Sequence, residues 1–223
     1  MRVIQLTSVF LVAASGWAAD PDNGLQDLLS RMDQAAASFQ SMSATVKYVT
    51  HTAVLNDNSE EAGTVLMKKL RANLMQGLTD FTAPDRRTVS IEQRKLQVYY
   101  PKIKTVQVFD LGKHGEQLDQ FLMMGFGTSG TELARDYAMK VIGPEVVQDQ
   151  KMTKVELIPK AGEAREYIQK VELWIPDRPS QPYPLQEKIY EKSGDYRLVI
   201  YTDMKINQPP ERRCHATQTT FRC

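Results

Sequence analysis

The chain has 223 residues, with 28 Lys and Arg against 27 Asp and Glu and a formal net charge of +1. That balance, with no basic stripe interleaved with aromatics, excludes the electrostatic footprint of a nucleic-acid-binding protein. With 42% hydrophobic residues, the chain can bury one sizeable core.

Residues 1–19, MRVIQLTSVFLVAASGWAA, place Arg2 before a short apolar run and end in small residues at Ala18 and Ala19. This is the pattern of a cleaved secretory signal and is too short for a permanent membrane span. The expectation is an exported, periplasmic, monomeric protein, with one domain over 20–208 and an irregular tail over 209–223. No cysteine stands near the expected cut, so no lipid attachment is expected there. The two cysteines, Cys214 and Cys223, lie in the tail ERRCHATQTTFRC. In an oxidising compartment they either close a short terminal loop or remain free thiols.

Gly24 to Met42 reads as an amphipathic helix. Leu25, Leu28, Leu29, Met32, Ala35, Ala36, Phe39 and Met42 recur at three and four residues. Pro21, Asp22 and Asn23 supply the start signal. The stripe Leu28, Met32, Phe39 packs on a sheet or lines a ligand site.

From Ser43 the period is two. Strands are expected at Ala44–Thr50, Thr64–Lys69, Leu74–Phe81, Thr88–Glu92, Leu96–Tyr100 and Thr105–Phe109, then at Met139–Ile142, Lys154–Ile158, Tyr167–Ile175, Leu185–Tyr190 and Tyr196–Ile206. Short links such as Asn56-Asp57-Asn58 and Ser193-Gly194-Asp195 suit hairpins. About ten antiparallel strands make a sheet wide enough to curl. Two helical segments are too few to cover both faces but enough to fill a concave side. The fold class is therefore α+β, mainly antiparallel β: an unclosed half-barrel with an N-terminal helix and a helical lid over its concave face. Lys170, Glu172, Glu187, Lys188, Glu191 and Lys192 are expected on its solvated outer face.

Gly115 to Gly143 interrupts the strands with helical spacing. Leu118, Phe121 and Leu122 share a face; Met123, Met124 and Phe126 extend it into a turn marked by Gly125, Gly127 and Gly130. A second short helix is expected after it, with Thr131 as N-cap and Leu133, Ala134 and Tyr137 inward. The segment is either a cover over an apolar cavity, with the glycines as its joint, or a plug at one end of a β-sandwich.

Catalytic signatures are absent from the sequence. His51, His114 and His215 stand in separate segments with no ligand spacing, and there is no HExxH, GxSxG, phosphate loop or dinucleotide fingerprint. The expectation is a non-enzyme without cofactor or metal.

The order of local patterns resembles a known family. Phe39-Gln40-Ser41-Met42 is followed by Ala44-Thr45-Val46-Lys47-Tyr48, Gly63-Thr64-Val65-Leu66-Met67-Lys68, Phe81-Thr82-Ala83-Pro84, Val98-Tyr99-Tyr100-Pro101 and Lys104-Thr105-Val106-Gln107-Val108. FLMMGFGTSGTELARDY, Val171-Glu172-Leu173-Trp174-Ile175 and Tyr201-Thr202-Asp203-Met204-Lys205-Ile206-Asn207 complete it. Over Leu25 to Asn207 the chain looks like the periplasmic outer-membrane lipoprotein carriers, the LolA-like chaperones. The resemblance implies an open barrel whose lid covers an apolar cavity. Its cargo would be acylated lipoproteins or other lipids, passed from an inner-membrane exporter to an outer-membrane acceptor. It also implies that acyl chains meet Leu28, Met32, Phe39, Leu118, Phe121, Leu122, Met123, Met124 and Phe126. In the family a basic residue after the first hairpin latches the lid; Arg71 is the match, although the family's Arg-Pro pair is missing. Pro209-Pro210 and the tail stand where the family has a further apolar strand. The alternative is a sensory or regulatory module on the same fold, binding lipid or peptide without handing it on.

Overall fold

The structure, a computed structural model, describes residues 21–71, 74–92, 95–112, 124–178 and 182–208. Helix α1 (Pro21–Ser38) leads into six strands: β1 (Ser41–Thr52), β2 (Asp57–Arg71), β3 (Leu74–Ala83), β4 (Arg87–Glu92), β5 (Lys95–Tyr100) and β6 (Thr105–Asp110). Helix α2 (Gly130–Asp136) precedes β7 (Tyr137–Val147) and β8 (Gln150–Pro159); helix α3 (Gly162–Tyr167) precedes β9 (Ile168–Pro176), β10 (Gln186–Glu191) and β11 (Tyr196–Ile206).

The eleven strands form one antiparallel sheet in the order β6-β5-β4-β3-β2-β1-β11-β10-β9-β8-β7. β6 and β7 are its two edges and do not pair, so the barrel is open. Among the described strands, the β1–β11 pairing alone joins strands distant in sequence, and it lies at the centre of the sheet. Bulges at Ser43/Thr45, Ala62/Gly63, Lys69/Arg71 and Val141/Gly143 add the local bend that a wide sheet needs in order to curl.

The leading helix stops at Ser38, four residues short of the expected Met42. The chain must turn there to begin pairing at Ser41 with Lys68. Asn207 holds the turn: its Oδ1 accepts from Gln40 N at 2.7 Å and Ser41 N at 3.1 Å, and its Nδ2 donates to Ser38 O at 2.8 Å. Lys69 Nζ donates to Ala36 O at 3.3 Å. It brings a cation to a helix end that has no basic residue of its own. The Ala161-Gly162 link between β8 and β9 opens the short helix α3, with Ala161 as its N-cap, rather than a plain hairpin turn.

One face of the sheet carries the core. Met42, Ala44 and Val46 of β1, Val65 and Met67 of β2 and Val155 and Leu157 of β8 alternate with more exposed neighbours. α1 lies over that face with Leu28 and Met32 buried against it, and Phe39, just past its end, is buried there too. The outer face corrects one expectation. Glu187 and Lys188 are adjacent in β10, and successive strand residues point to opposite faces. Lys188 stays outside, but Glu187 turns inward and is buried. Glu172 is on the outer face yet also buried. Lys170 at 2.8 Å, Lys154 at 3.2 Å and Tyr190 Oη at 3.2 Å enclose its carboxylate. Burial resists its ionisation, but the bonds from Lys170 and Lys154 outweigh burial and hold its pKa below the usual value.

Candidate functional site: the concave face and its inserted turn

The buried residues of the concave side fall into two apolar clusters. One gathers Phe39, Met42, Val46, Met67, Met75, Tyr183 and Tyr201 around Phe126. The other gathers Leu28, Met32, Leu133, Val155, Leu173 and Ile175 around Met124. The turn Met124–Gly127 thus drops one side chain into each cluster, and each is only 2% exposed. Phe126 meets Tyr201 edge-on with ring centroids 5.2 Å apart, stacks on Tyr183 at 6.1 Å and reaches Phe39 at 6.5 Å. Tyr183 Oη donates to Ala35 O of α1 at 3.4 Å.

Local chemistry explains how the turn is held. Gly125 adopts φ +77°, and a Cβ there would lie 2.5 Å from Pro184 Cγ. Both its backbone conformation and its contact with the β9–β10 link therefore require glycine. Ser129, not the expected Thr131, caps α2: its side chain accepts from Glu132 N at 3.1 Å, while the Glu132 carboxylate accepts from Ser129 N at 3.0 Å. Thr131 instead binds across to α1, donating from N at 2.9 Å and Oγ1 at 2.8 Å to the Asp33 carboxylate. Gly130 allows that close approach, since a Cβ would sit 2.6 Å from Leu29 O.

Glu187 lies at the seam. Its cross-strand partners are Val199, in the Phe126 cluster, and Leu173, in the Met124 cluster. Its Oε1 has no hydrogen-bond partner among the described residues and would lie 3.6 Å from a Cβ at Gly125. Burial alone pushes its pKa up to about 8, so the carboxyl stays protonated at neutral pH. Burial also raises the Tyr201 phenol well above its usual value, with the Glu187 charge a lesser cause. Tyr48 is raised in the same way, against a hydrogen bond from Thr79.

Away from the turn, the concave face over β3–β5 is only partly covered; Thr79, Val89, Leu96 and Tyr100 are half-buried. Arg87 lies over the Phe81 ring, 4.0 Å from its centroid, and forms a fork with Glu61 at 2.5 and 3.0 Å. A separate open groove of 440 Å³ runs along Ala138, Ile158, Lys160, Arg165, Ile168 and Lys192. None of the residues expected from sequence to meet acyl chains, to hinge the lid or to latch it lines this groove. Among the described residues no group of His, Cys, Asp and Glu is placed to hold a metal.

Of the residues singled out from sequence, Leu28, Met32, Phe39, Met124 and Phe126 converge beneath and within the turn. Leu118, Phe121, Leu122 and Met123 lie outside the described residues, as do residues 1–19, where the secretory signal was expected, and Cys214 and Cys223. Arg71 is exposed at the end of β2. Among the glycines, Gly125 makes the turn, Gly127 is buried and Gly130 begins α2. Sequence reading missed Glu187, Tyr183, Tyr201 and Asp33. Only Glu187 left a readable sign: it breaks an otherwise apolar inward row, Leu185, Glu187, Ile189.

No family model and no curated protein sequence matches the chain. Solved structures do. MucB superposes with a TM-score of 0.53 at 14% identity, over 88% of this chain and 64% of its own. The Mycobacterium tuberculosis lipoprotein LppX superposes with a TM-score of 0.50 at 15% identity, over 85% of this chain and 98% of its own. The fold is the open half-barrel of MucB and LppX. A LolA superfamily protein from Nitrosomonas europaea also matches, at 17% identity over 83% of this chain and 94% of its own, with a TM-score of 0.38. That superposition is too loose to argue from. At these identities the likeness is one of fold, and it agrees with the half-barrel expected from the sequence.

Proposed function

We propose that the protein is a periplasmic carrier that binds the acyl chains of lipoproteins, or of another lipid, in the concave face and delivers them to the outer membrane. In this reading the turn Met124–Gly127 is a stopper. The observation that carries it is the placement of Met124 and Phe126, one in each apolar cluster, on a segment joined to the sheet through a glycine turn and a short helix. Each buried methylene contributes about 0.8 kcal/mol, so one long acyl chain contributes on the order of 10 kcal/mol gross. A stopper that occupies the same apolar surface leaves only the difference between two burial terms, which keeps cargo releasable. Methionine suits the exchange because its unbranched side chain repacks readily. Gly125 and Gly127 would then be the joint, with Gly130 anchoring α2 against α1 and Arg71 the latch.

The second reading, a sensory module that binds lipid or a protein segment, draws on the likeness to MucB, solved in complex with MucA. An acceptor-dependent transfer assay separates the two. The protein is loaded with a fluorescent triacylated lipopeptide and mixed with outer-membrane vesicles. A carrier binds the lipopeptide and gives it up to those vesicles but not to protein-free liposomes. Binding without transfer supports the sensory module, and no binding at all ends the carrier reading and the lipid-binding form of the sensory one.

A further inference from the structure

The stopper reading leaves one group unexplained: a carboxyl at the seam of the two clusters, turned inward where a hydrocarbon would pack. Glu187 is 7% exposed, and its Oε1 has no hydrogen-bond partner among the described residues. A buried polar atom without a partner destabilises the fold. Leucine at this position would remove that cost and continue the inward row of Leu185 and Ile189. What lies over Glu187 is the part of the chain proposed to move: its Oε1 faces Gly125, which is pressed on Pro184.

We propose that Glu187 is the polar recognition group of the hollow, and that it selects long-chain amphiphiles whose head is a hydrogen-bond donor, a primary amine or a hydroxyl, over those ending in a carboxylate. The inference rests on the reading that the turn vacates the hollow. The selection follows from charge. The groups facing Glu187 are Tyr48 of β1 and Tyr201 of β11, both neutral over the physiological range, together with Leu173, Val199, Gly125 and Pro184, which carry no charge. No described cation stands there to balance an incoming carboxylate, which would leave a net negative charge in an apolar site. A hydroxyl adds no charge. An ammonium drives the proton from Glu187 to solvent and leaves a neutral ion pair.

The test uses three C12 probes, dodecylammonium, dodecan-1-ol and dodecanoate, to displace the neutral apolar fluorophore N-phenyl-1-naphthylamine from the full chain. Wild type should bind the amine and the alcohol about tenfold to a hundredfold tighter than the carboxylate. Its affinity for the amine should rise from pH 6 to pH 8 as the Glu187 proton becomes easier to displace, with the alcohol flat over that range. Glu187→Gln should keep the alcohol, lose the preference for the amine and lose its pH dependence. Glu187→Leu should bind all three by chain length alone. Equal affinities for the three probes in wild type, or an unchanged ranking in both variants, would overturn the assignment of Glu187 while leaving the hollow as the site. If neither the fluorophore nor any probe binds, the hollow does not open, and both this inference and the carrier reading fall.

Discussion

Phe126→Ala separates a stopper from an ordinary core residue. The ring is 2% exposed and touches three other rings. Truncating a buried Phe to Ala costs about 3–5 kcal/mol in lost transfer energy and residual cavity. In an ordinary core all of that loss falls on the fold, and ligand affinity stays level or drops. In a stopper the loss falls on the closed state, which competes with cargo. About 3 kcal/mol corresponds to roughly a hundredfold in an equilibrium constant. The observable gain is capped by the free energy of closure, because affinity stops rising once the turn is mostly open. The assay pairs urea denaturation with titration of a fluorescent acyl probe. Phe126→Ala should be less stable and bind the probe at least tenfold more tightly. Leu157→Ala is the control, since Leu157 is fully buried in β8 and belongs to the sheet. It should lose similar stability without gaining affinity. If Phe126→Ala loses affinity, or behaves as the Leu157 variant does, Phe126 is fixed core and the competition does not exist.

Glu187 gives stability a pH dependence opposite to that of a paired carboxylate. Its folded pKa, about 8, lies above the usual glutamate value of 4.5. Stability is therefore full below pH 4.5 and declines as pH rises towards 8, by up to about 4 kcal/mol. Glu187→Gln should flatten that slope and be the more stable chain at pH 8; urea curves at pH 5 and pH 8 that shift equally in both proteins would refute it. Gly130→Ala should lower the thermal midpoint through an overpacking cost of about 1–3 kcal/mol, because the new methyl meets the backbone of Leu29. Gly77→Ala, where a Cβ meets nothing within 4 Å, should not lower it, and equal midpoints for the two variants would show that α2 does not depend on that close approach.

Much of the half-barrel was legible because its signals are local. The period-two runs from Ser43 onward reappear as β1–β11, and the hairpin links fall where Asn, Asp and Gly cluster. Leu28 and Met32 were legible as one stripe because helical spacing places them on one face; Phe39, just past the helix, joins the other cluster. Met124 and Phe126 stood out as greasy residues beside glycines, although their division between two clusters did not. The helix end at Ser38 was misjudged because the apolar period runs on through Phe39 and Met42, while the stop comes from Asn207, at the other end of the chain. Charged strand residues were read as solvated by type, and parity was not applied at Glu187-Lys188.

Alternation, helical spacing and turn chemistry are written in neighbouring residues, so they already specified an antiparallel meander with a leading helix and a greasy insert. Closure of β1 on β11, the seating of the turn between two clusters, the Asp33–Thr131 tie and the burial of Glu187 all join residues far apart in the chain. Such contacts depend on how a curled sheet brings its strands together. No local pattern encodes that geometry, and only the folded arrangement decided it.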